Sequence, residues 1–289
     1  MDIVTNYTFQ IIALGTALLA SVAAPVGALS VYKGQSLIGD AIGHATFPGI
    51  VLAFMAFSTR SPAVLLVGAM AAAAVTFFAI QAANENTRVG LNANLAIFLS
   101  GFFGLGMVLK SFIQGNADYR GASQAGLETY IFGQAAYMLE DDVKLIALVA
   151  ALSASLLFLF YKELKVFVFD AEYARAAGLP VRLLQVLLPF LTIAVIGIGI
   201  KAVGAILISS FLIIPCVAAS QWSDDFSRVL FLSAVFGMAA ALAGAYVSTL
   251  AQGMSTGPSI ILAASAIAFF SMFFGKRGAF RKRGRREEA

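Results

Sequence analysis

The feature that most constrains this fold is a series of long apolar runs separated by short polar segments. Several runs reach the roughly 20 residues that a helix needs to cross a bilayer. Of the 289 residues, 60% are hydrophobic and 12% are charged, whereas an ordinary soluble domain has about 25% charged residues. A large soluble helical core is the alternative, but so few charges would not cover its surface. The sequence therefore predicts a membrane protein.

Nine spans are predicted, and each should be helical because backbone groups in lipid must be hydrogen-bonded within their own segment. The spans cover roughly residues 9–30, 39–57, 62–83, 91–112, 143–161, 183–200, 203–220, 228–250 and 257–274. We see no internal repeat and no linker that would divide the chain. The sequence thus predicts an all-α, polytopic transmembrane bundle formed by a single domain, residues 1–289.

Basic residues predict the orientation of this bundle. Segment 275–289 follows the last span and holds seven of the nineteen Lys and Arg residues. Such a run can bind nucleic acid, but directly after a span it is typical of a cytoplasmic retention signal. With this tail in the cytoplasm, inner segments carry fourteen basic residues and outer segments five. We therefore expect a multi-pass protein of a bacterial plasma membrane with a cytoplasmic C-terminus, and no nucleic-acid partner.

The only histidine of the chain, His44, lies in the second span, four residues after Asp40. Residues i and i+4 share one face of a helix, so the carboxylate and the imidazole should point the same way. Both groups suit Mn²⁺, Fe²⁺ or Zn²⁺. The alternative is that Asp40 caps the helix and His44 is a hydrogen-bonded core residue. Ionisable groups inside spans usually mark a substrate pathway, which favours a metal site.

Other residues of this span and of a later one would shape the path. Pro48 lacks an N–H, so the carbonyl of His44 loses its helical partner and is a further potential ligand. Gly43 and Gly49 keep the helix slim enough for close packing. Pro215 should kink the seventh span, a role more typical of packing than of gating.

A count of ligands predicts the oligomeric state. One Asp and one His give two side-chain ligands, whereas a transition metal usually has at least four. Cys216 is the only cysteine, so a thiolate cluster cannot complete the site. A two-fold homodimer would bring two Asp and two His to its axis. We therefore predict a homodimer with the metal path at its interface.

Two connections are long enough to have structure of their own. One is the outer loop at residues 113–142, and the other is a cytoplasmic segment at 163–182. In the cytoplasmic segment, acidic residues come first and a Gly and a Pro follow, as at the two ends of a helix. This pattern predicts a short helix across the cytoplasmic mouth, with Asp170, Glu172, Ala174, Arg175 and Gly178 in or beside it.

Three stretches resemble the membrane permeases of ABC importers for manganese, zinc and iron. Segment 36–49 is similar to the family signature Gly-Asp-Ala-x-x-His-Ala-x-x-Pro-Gly, segment 169–181 to its cytoplasmic coupling segment, and segment 201–215 to a late-span pattern ending in Pro. The resemblance extends over nearly the whole chain. The outer segment 124–136 resembles the manganese and iron members more than the zinc members.

The resemblance implies a bundle like that of type II ABC importers, formed by a homodimer bound to two cytoplasmic ATPase subunits. An external metal-binding protein would deliver the ion. It also implies that Asp40 and His44 bind metal in passing and that the helix near 170–178 docks on the ATPase. The divalent metal, manganese before zinc or iron, would be cargo, and no resident cofactor is expected.

Two rival functions are weaker. A transporter driven by an ion gradient would carry a relay of several intramembrane acids and bases, and Asp40 and His44 nearly exhaust the supply. An intramembrane metalloenzyme would need a His-Glu-x-x-His motif or three ligands in one chain. The chain also lacks a Gly-x-x-x-x-Gly-Lys-Ser/Thr phosphate loop, so a separate subunit would hydrolyse ATP, and this chain is predicted not to be an enzyme.

Overall fold

The computed structural model describes residues 6–59, 61–116, 133, 135, 138–250 and 254–278. Helices account for most of this part of the chain. They are α1 (Tyr7–Tyr32), α2 (Ile38–Phe57), α3 (Pro62–Asn86), α4 (Leu91–Gly115), α5 (Glu140–Leu159), α6 (Tyr161–Phe169), α7 (Ala171–Ala176), α8 (Val181–Val203), α9 (Ala205–Ser220), α10 (Phe226–Leu250) and α11 (Thr256–Phe274).

Eight of these helices are long and apolar enough to cross a bilayer, so the helical membrane bundle is confirmed for the described residues. The ninth predicted span is α9, which has 16 residues. At 1.5 Å per residue it is about 24 Å long, somewhat shorter than the roughly 30 Å hydrocarbon core. Its neighbours α1, α2, α8, α10 and α11 surround it, so it is a central helix of the bundle.

Close backbone contacts fix α9 in this position. A Cβ added at Gly27 of α1 would overlap the backbone of Leu212. A Cβ at Gly39 of α2 would lie 2.5 Å from the side chain of the same leucine. Small residues therefore let both α1 and α2 approach the central helix, as in many membrane bundles.

Polar contacts group the helix ends into two faces. On the first, which we call the Tyr7 face, the Tyr7 hydroxyl donates to Glu140 and Lys201 pairs with Asp142, so that the ends of α1, α5 and α8 meet. The opposite, Lys33 face joins the ends of α1, α6, α9 and α11 with the start of α10. There, for example, the Arg277 N–H donates to the Gln221 carbonyl at 3.0 Å.

The connection between α5 and α8 lies on the Lys33 face and contains two helices, of which the sequence predicted only the second. The Asp170 side chain caps α7 by accepting from the Tyr173 N–H at 2.8 Å. At the other end, Gly178 has φ +77°, and the Leu179 N–H donates to the Ala174 carbonyl at 3.0 Å. Together with the bond from the Gly178 N–H to the Arg175 carbonyl at 3.1 Å, this contact forms a Schellman motif, which ends the helix where the Gly and Pro predicted.

The connection between α4 and α5 is shorter than expected, because α5 begins at Glu140, inside the predicted loop 113–142. Only residues 113–116, 133, 135 and 138–142 of that loop belong to the described part of the chain. Most of segment 124–136, which carried the preference for manganese, and most of the basic tail 275–289 lie outside the described residues.

Candidate metal centre

Asp40 and His44 lie one turn apart near the start of α2. The Nε2 atom of His44 is 3.5 Å from the nearer carboxylate oxygen of Asp40. The side chains of His44 and Asp40 are 20% and 32% exposed, so both still reach the surface of the single chain. Asp40 is in the first helical turn, where the positive end of the helix dipole favours a carboxylate.

The surroundings of the pair are apolar. The ring of Phe103, on α4, meets the imidazole of His44 edge-on, with 5.1 Å between the ring centroids. Gly43 faces the first residue of α9, Ala205, and a Cβ added at Gly43 would lie 3.9 Å from Ala205. That is ordinary van der Waals contact, so the packing does not strictly require a glycine at 43.

Two polar backbone groups lie next to the pair. The Thr46 hydroxyl donates to the Gly43 carbonyl at 2.6 Å. Pro48 lies inside α2 and cannot donate to the carbonyl of His44. An oxygen without its helical partner therefore accompanies the imidazole and the carboxylate on the same helix.

Close helix packing positions the C-terminal half of α2. A Cβ at Gly49 would overlap the carbonyl of Gly68 on α3, and one at Gly106 of α4 would lie 3.1 Å from the ring of Pro48. These contacts hold α3 and α4 against α2. Pro215 lies within the continuous helix α9 and is distant in sequence from this packing.

The described residues of one chain do not form a complete metal site. Among the described residues, no group of three or more His, Cys, Asp and Glu side chains is arranged to hold a metal ion. Because a structural or transport site for a transition metal usually has at least four ligands, Asp40 and His44 form at most half of one.

A groove continues along the same face of α2, toward the C-terminal end of the helix. Pro48, Leu52 and Ala56 follow His44 at intervals of four residues, and they line a groove of about 650 Å³ between α2, α3 and α4. The groove is lined almost entirely by apolar side chains. An ion would not cross it unaided, because apolar walls offer no ligand to replace its hydration shell.

The residues predicted to dock on an ATPase surround α7. Asp170 is its N-cap, Glu172 lies in the first turn, Arg175 in the last turn, and Gly178 ends the helix. Ala174 is fully buried and anchors the helix to the bundle. The exposed side of α7 presents Tyr173, which is 62% exposed.

Two charged contacts were not predicted from the sequence. Lys201 lies in the last turn of α8 and pairs with Asp142 of α5. Lys33 lies over the ring of Phe167, with its Nζ 4.2 Å from the ring centroid. Each pair joins distant parts of the chain. A lysine next to an apolar run was the only signal in the sequence.

Comparison with known proteins gives matches over nearly the whole chain. The ABC 3 transport family matches residues 5–275. The zinc transport system membrane protein TroC of Treponema pallidum is 36% identical over 287 residues, which cover 99% of this chain and 95% of that protein. The manganese transport system membrane protein MntC of Bacillus subtilis is 36% identical over 270 residues, covering 93% of this chain and 61% of that protein.

A solved structure has the same fold. PsaBC from Streptococcus pneumoniae, in complex with Fab, includes a chain that superimposes with a TM-score of 0.80 at 26% identity. The match covers 97% of the present chain and 96% of the other.

Proposed function

The chain belongs to the ABC 3 transport family, and from this we propose that it is the membrane permease of an ATP-driven importer for a divalent transition metal. The observation that carries the metal assignment is the Asp40–His44 pair, with 3.5 Å between the two side chains. Relatives named for zinc and for manganese transport support the same class of substrate.

Manganese is our preferred ion, with zinc and iron as the other candidates. A carboxylate and an imidazole bind all three ions, so the pair indicates a divalent transition metal but does not distinguish manganese, zinc and iron. The preference for manganese rests on the sequence of segment 124–136. The ion is cargo, and the site holds it only in passing.

A second copy of this permease would complete the site. Two copies related by a two-fold axis would supply two carboxylates and two imidazoles, which meets the usual ligand count. The apolar groove supports this arrangement, because it continues the ridge of α2 that carries the pair. A second copy would cover both the groove and the metal, leaving a site shared equally by the two chains.

Two cytoplasmic ATPase subunits would drive the cycle, since the sequence has no phosphate-binding loop. We place the Lys33 face and the C-terminus in the cytoplasm, because the basic residues concentrate there. The ATPases would then contact α7. ATP binding would move α7, tilt the spans and change the side to which the pair opens. An external metal-binding protein would deliver the ion to the Tyr7 face.

Uptake by site variants tests the metal assignment. We expect His44→Ala and Asp40→Ala each to lower the uptake of radioactive manganese, zinc or iron at least tenfold, because each removes half of the ligands. Assembly with the ATPase, measured by co-purification, should be unchanged, because neither residue belongs to α7. Cells that lack other importers for these metals give the lowest background.

The matched control is Glu85→Ala. Glu85 accepts from Gln81 at 3.2 Å in another exposed i, i+4 pair, on α3, so its loss should leave uptake intact. Wild-type uptake by His44→Ala would refute the metal site. Uptake that persists without the ATPase subunits would instead favour a transporter driven by an ion gradient.

A further inference from the structure

The connection from α1 to the metal helix is tightly ordered. Gly34 has φ +79°, which favours glycine. Its N–H donates to Val31 at 3.0 Å, and that of Gln35 to Ser30 at 2.9 Å. These bonds form a Schellman motif at the end of α1. α2 begins at Ile38, so only five residues separate the two helices. Because this connection is short and hydrogen-bonded, a displacement of the end of α1 should also displace Asp40.

Lys33, the C-cap of α1, contacts the element that precedes α7. Its ammonium lies over the ring of Phe167 in α6, with 4.2 Å between Nζ and the ring centroid. Phe167 is 2% exposed. A cation is attracted to the electron-rich face of an aromatic ring, and the attraction is stronger where water is partly excluded. Within the described part of the chain, Lys33 makes no ion pair with a carboxylate.

Three further rings join the same elements. Tyr32 ends α1, Phe169 ends α6 and Phe226 begins α10. Each ring meets the other two edge-on, with centroid distances of 5.7 Å (Tyr32–Phe169), 5.1 Å (Tyr32–Phe226) and 5.2 Å (Phe169–Phe226). Edge-to-face rings pack in a defined geometry. The cap of α7, Asp170, follows Phe169 directly.

We propose that the rings of Tyr32, Phe167, Phe169 and Phe226, with the Lys33 ammonium, form a joint that transmits movement of α7 to the start of α2. The inference rests on the proposed function. In this joint, Lys33 is a positioning residue: it ties the α1–α2 connection to α6, while the three rings tie α6 to α1 and α10. Displacement of α7 therefore shifts the segment that carries Asp40 and His44.

A purely structural role for Lys33 is the competing explanation. Long basic side chains often lay their methylenes on apolar surface and extend the charge to water. In that case removal of the charge would leave transport and ATP hydrolysis linked as before. The joint predicts a different result: ATP hydrolysis continues, but fewer metal ions are transported for each ATP hydrolysed.

The test compares metal uptake with ATP hydrolysis in proteoliposomes that contain the assembled transporter. Lys33→Met retains the apolar stem and removes the charge. We expect the number of ions carried per ATP to fall at least fivefold, while the amounts of permease and ATPase that co-purify stay the same. Phe167→Leu, which retains apolar volume and removes the ring, should give a similar loss.

Two controls separate the joint from a general effect of charge. Lys33→Arg retains a cation that stacks on the ring and should keep the wild-type ratio of ions to ATP. Lys162→Met removes an exposed lysine from the same helix, α6, and should change nothing.

A wild-type ratio in Lys33→Met would overturn the joint, as would a parallel loss of uptake and hydrolysis in an assembled transporter. If Lys33→Met does not assemble, Phe167→Leu decides by the same ratio. If the proposed function is wrong, the result is different: the wild-type transporter itself would take up none of the three metals.

Discussion

At the scale of single residues, Lys33 shows how burial changes a charged group. Burial lowers the pKa of Lys33 to about 8, whereas an exposed lysine has a pKa of about 10.4. Its neighbours are largely apolar, the ring of Phe167 among them. The low pKa means that the folded protein holds this proton more weakly than the unfolded chain does.

This difference predicts a pH dependence of stability. Below pH 8 both states carry the charge, and the cost of burying it is fully present. Between pH 8 and about 10.4 the unfolded chain binds more protons, so the free energy of unfolding rises with pH. The Tm in detergent of the wild type, relative to Lys33→Met, should rise over this range, by about 2–4 °C for each kcal/mol of stability gained. A constant difference between the two proteins would contradict the lowered pKa.

The proximity of Asp40 and His44 could be predicted from the sequence. Asp40 and His44 are one turn apart on a helix whose existence is clear from its apolar run, so their proximity follows from helix geometry alone. The pairing of Lys201 with Asp142 does not, because 59 residues separate them and only the packed bundle brings α5 to the end of α8.

At the scale of helices, length and apolar character determined what could be predicted. The predicted limits of α1, 9–30, lie within two residues of its ends at Tyr7 and Tyr32. α6 was not predicted, because its nine residues mix charged and apolar side chains and resemble a loop. Its apolar side is buried because α1 and α8 pack against it. These contacts are between segments far apart in the chain, so the local sequence pattern does not reveal them.

The end of α7 gives a prediction for ATPase attachment. Gly178 has φ +77° and open space around its Cα, so Gly178→Ala adds backbone strain of about 1–2 kcal/mol without a clash. The α7–α8 turn should loosen, and less ATPase should co-purify. Gly90→Ala is the matched control, because Gly90 also has open space but an ordinary φ of −63°. Equal co-purification of both variants would contradict an ordered α7 as the docking element.

At the scale of the whole molecule, the two faces predict which loops each compartment reaches. Cys216 is the only cysteine and is 1% exposed, so an introduced thiol is the main reactive one. In intact cells, an impermeant maleimide should label Ser61→Cys, between α2 and α3, and spare Arg88→Cys, between α3 and α4. Permeabilised cells should label both. The reverse pattern would invert the proposed orientation.

At this scale, the sequence could not predict which helix lies at the centre of the bundle. Nine apolar runs do not tell which of them becomes the centre, and the answer is the shortest of the nine spans, α9. It takes that place because Gly27 and Gly39 let α1 and α2 close around Leu212.

The corner at Gly204 has a consequence for biogenesis. Gly204 alone separates α8 from α9, and a Cβ added at Gly199 would lie 2.5 Å from Ile208, so the two helices fold back on each other at once. One residue spans about 3.5 Å at most, too little for α9 to enter the bilayer after α8 has settled there. We therefore expect the two helices to enter the bilayer together as a hairpin, with α8 covering one side of the short helix before α10 and α11 pack against it.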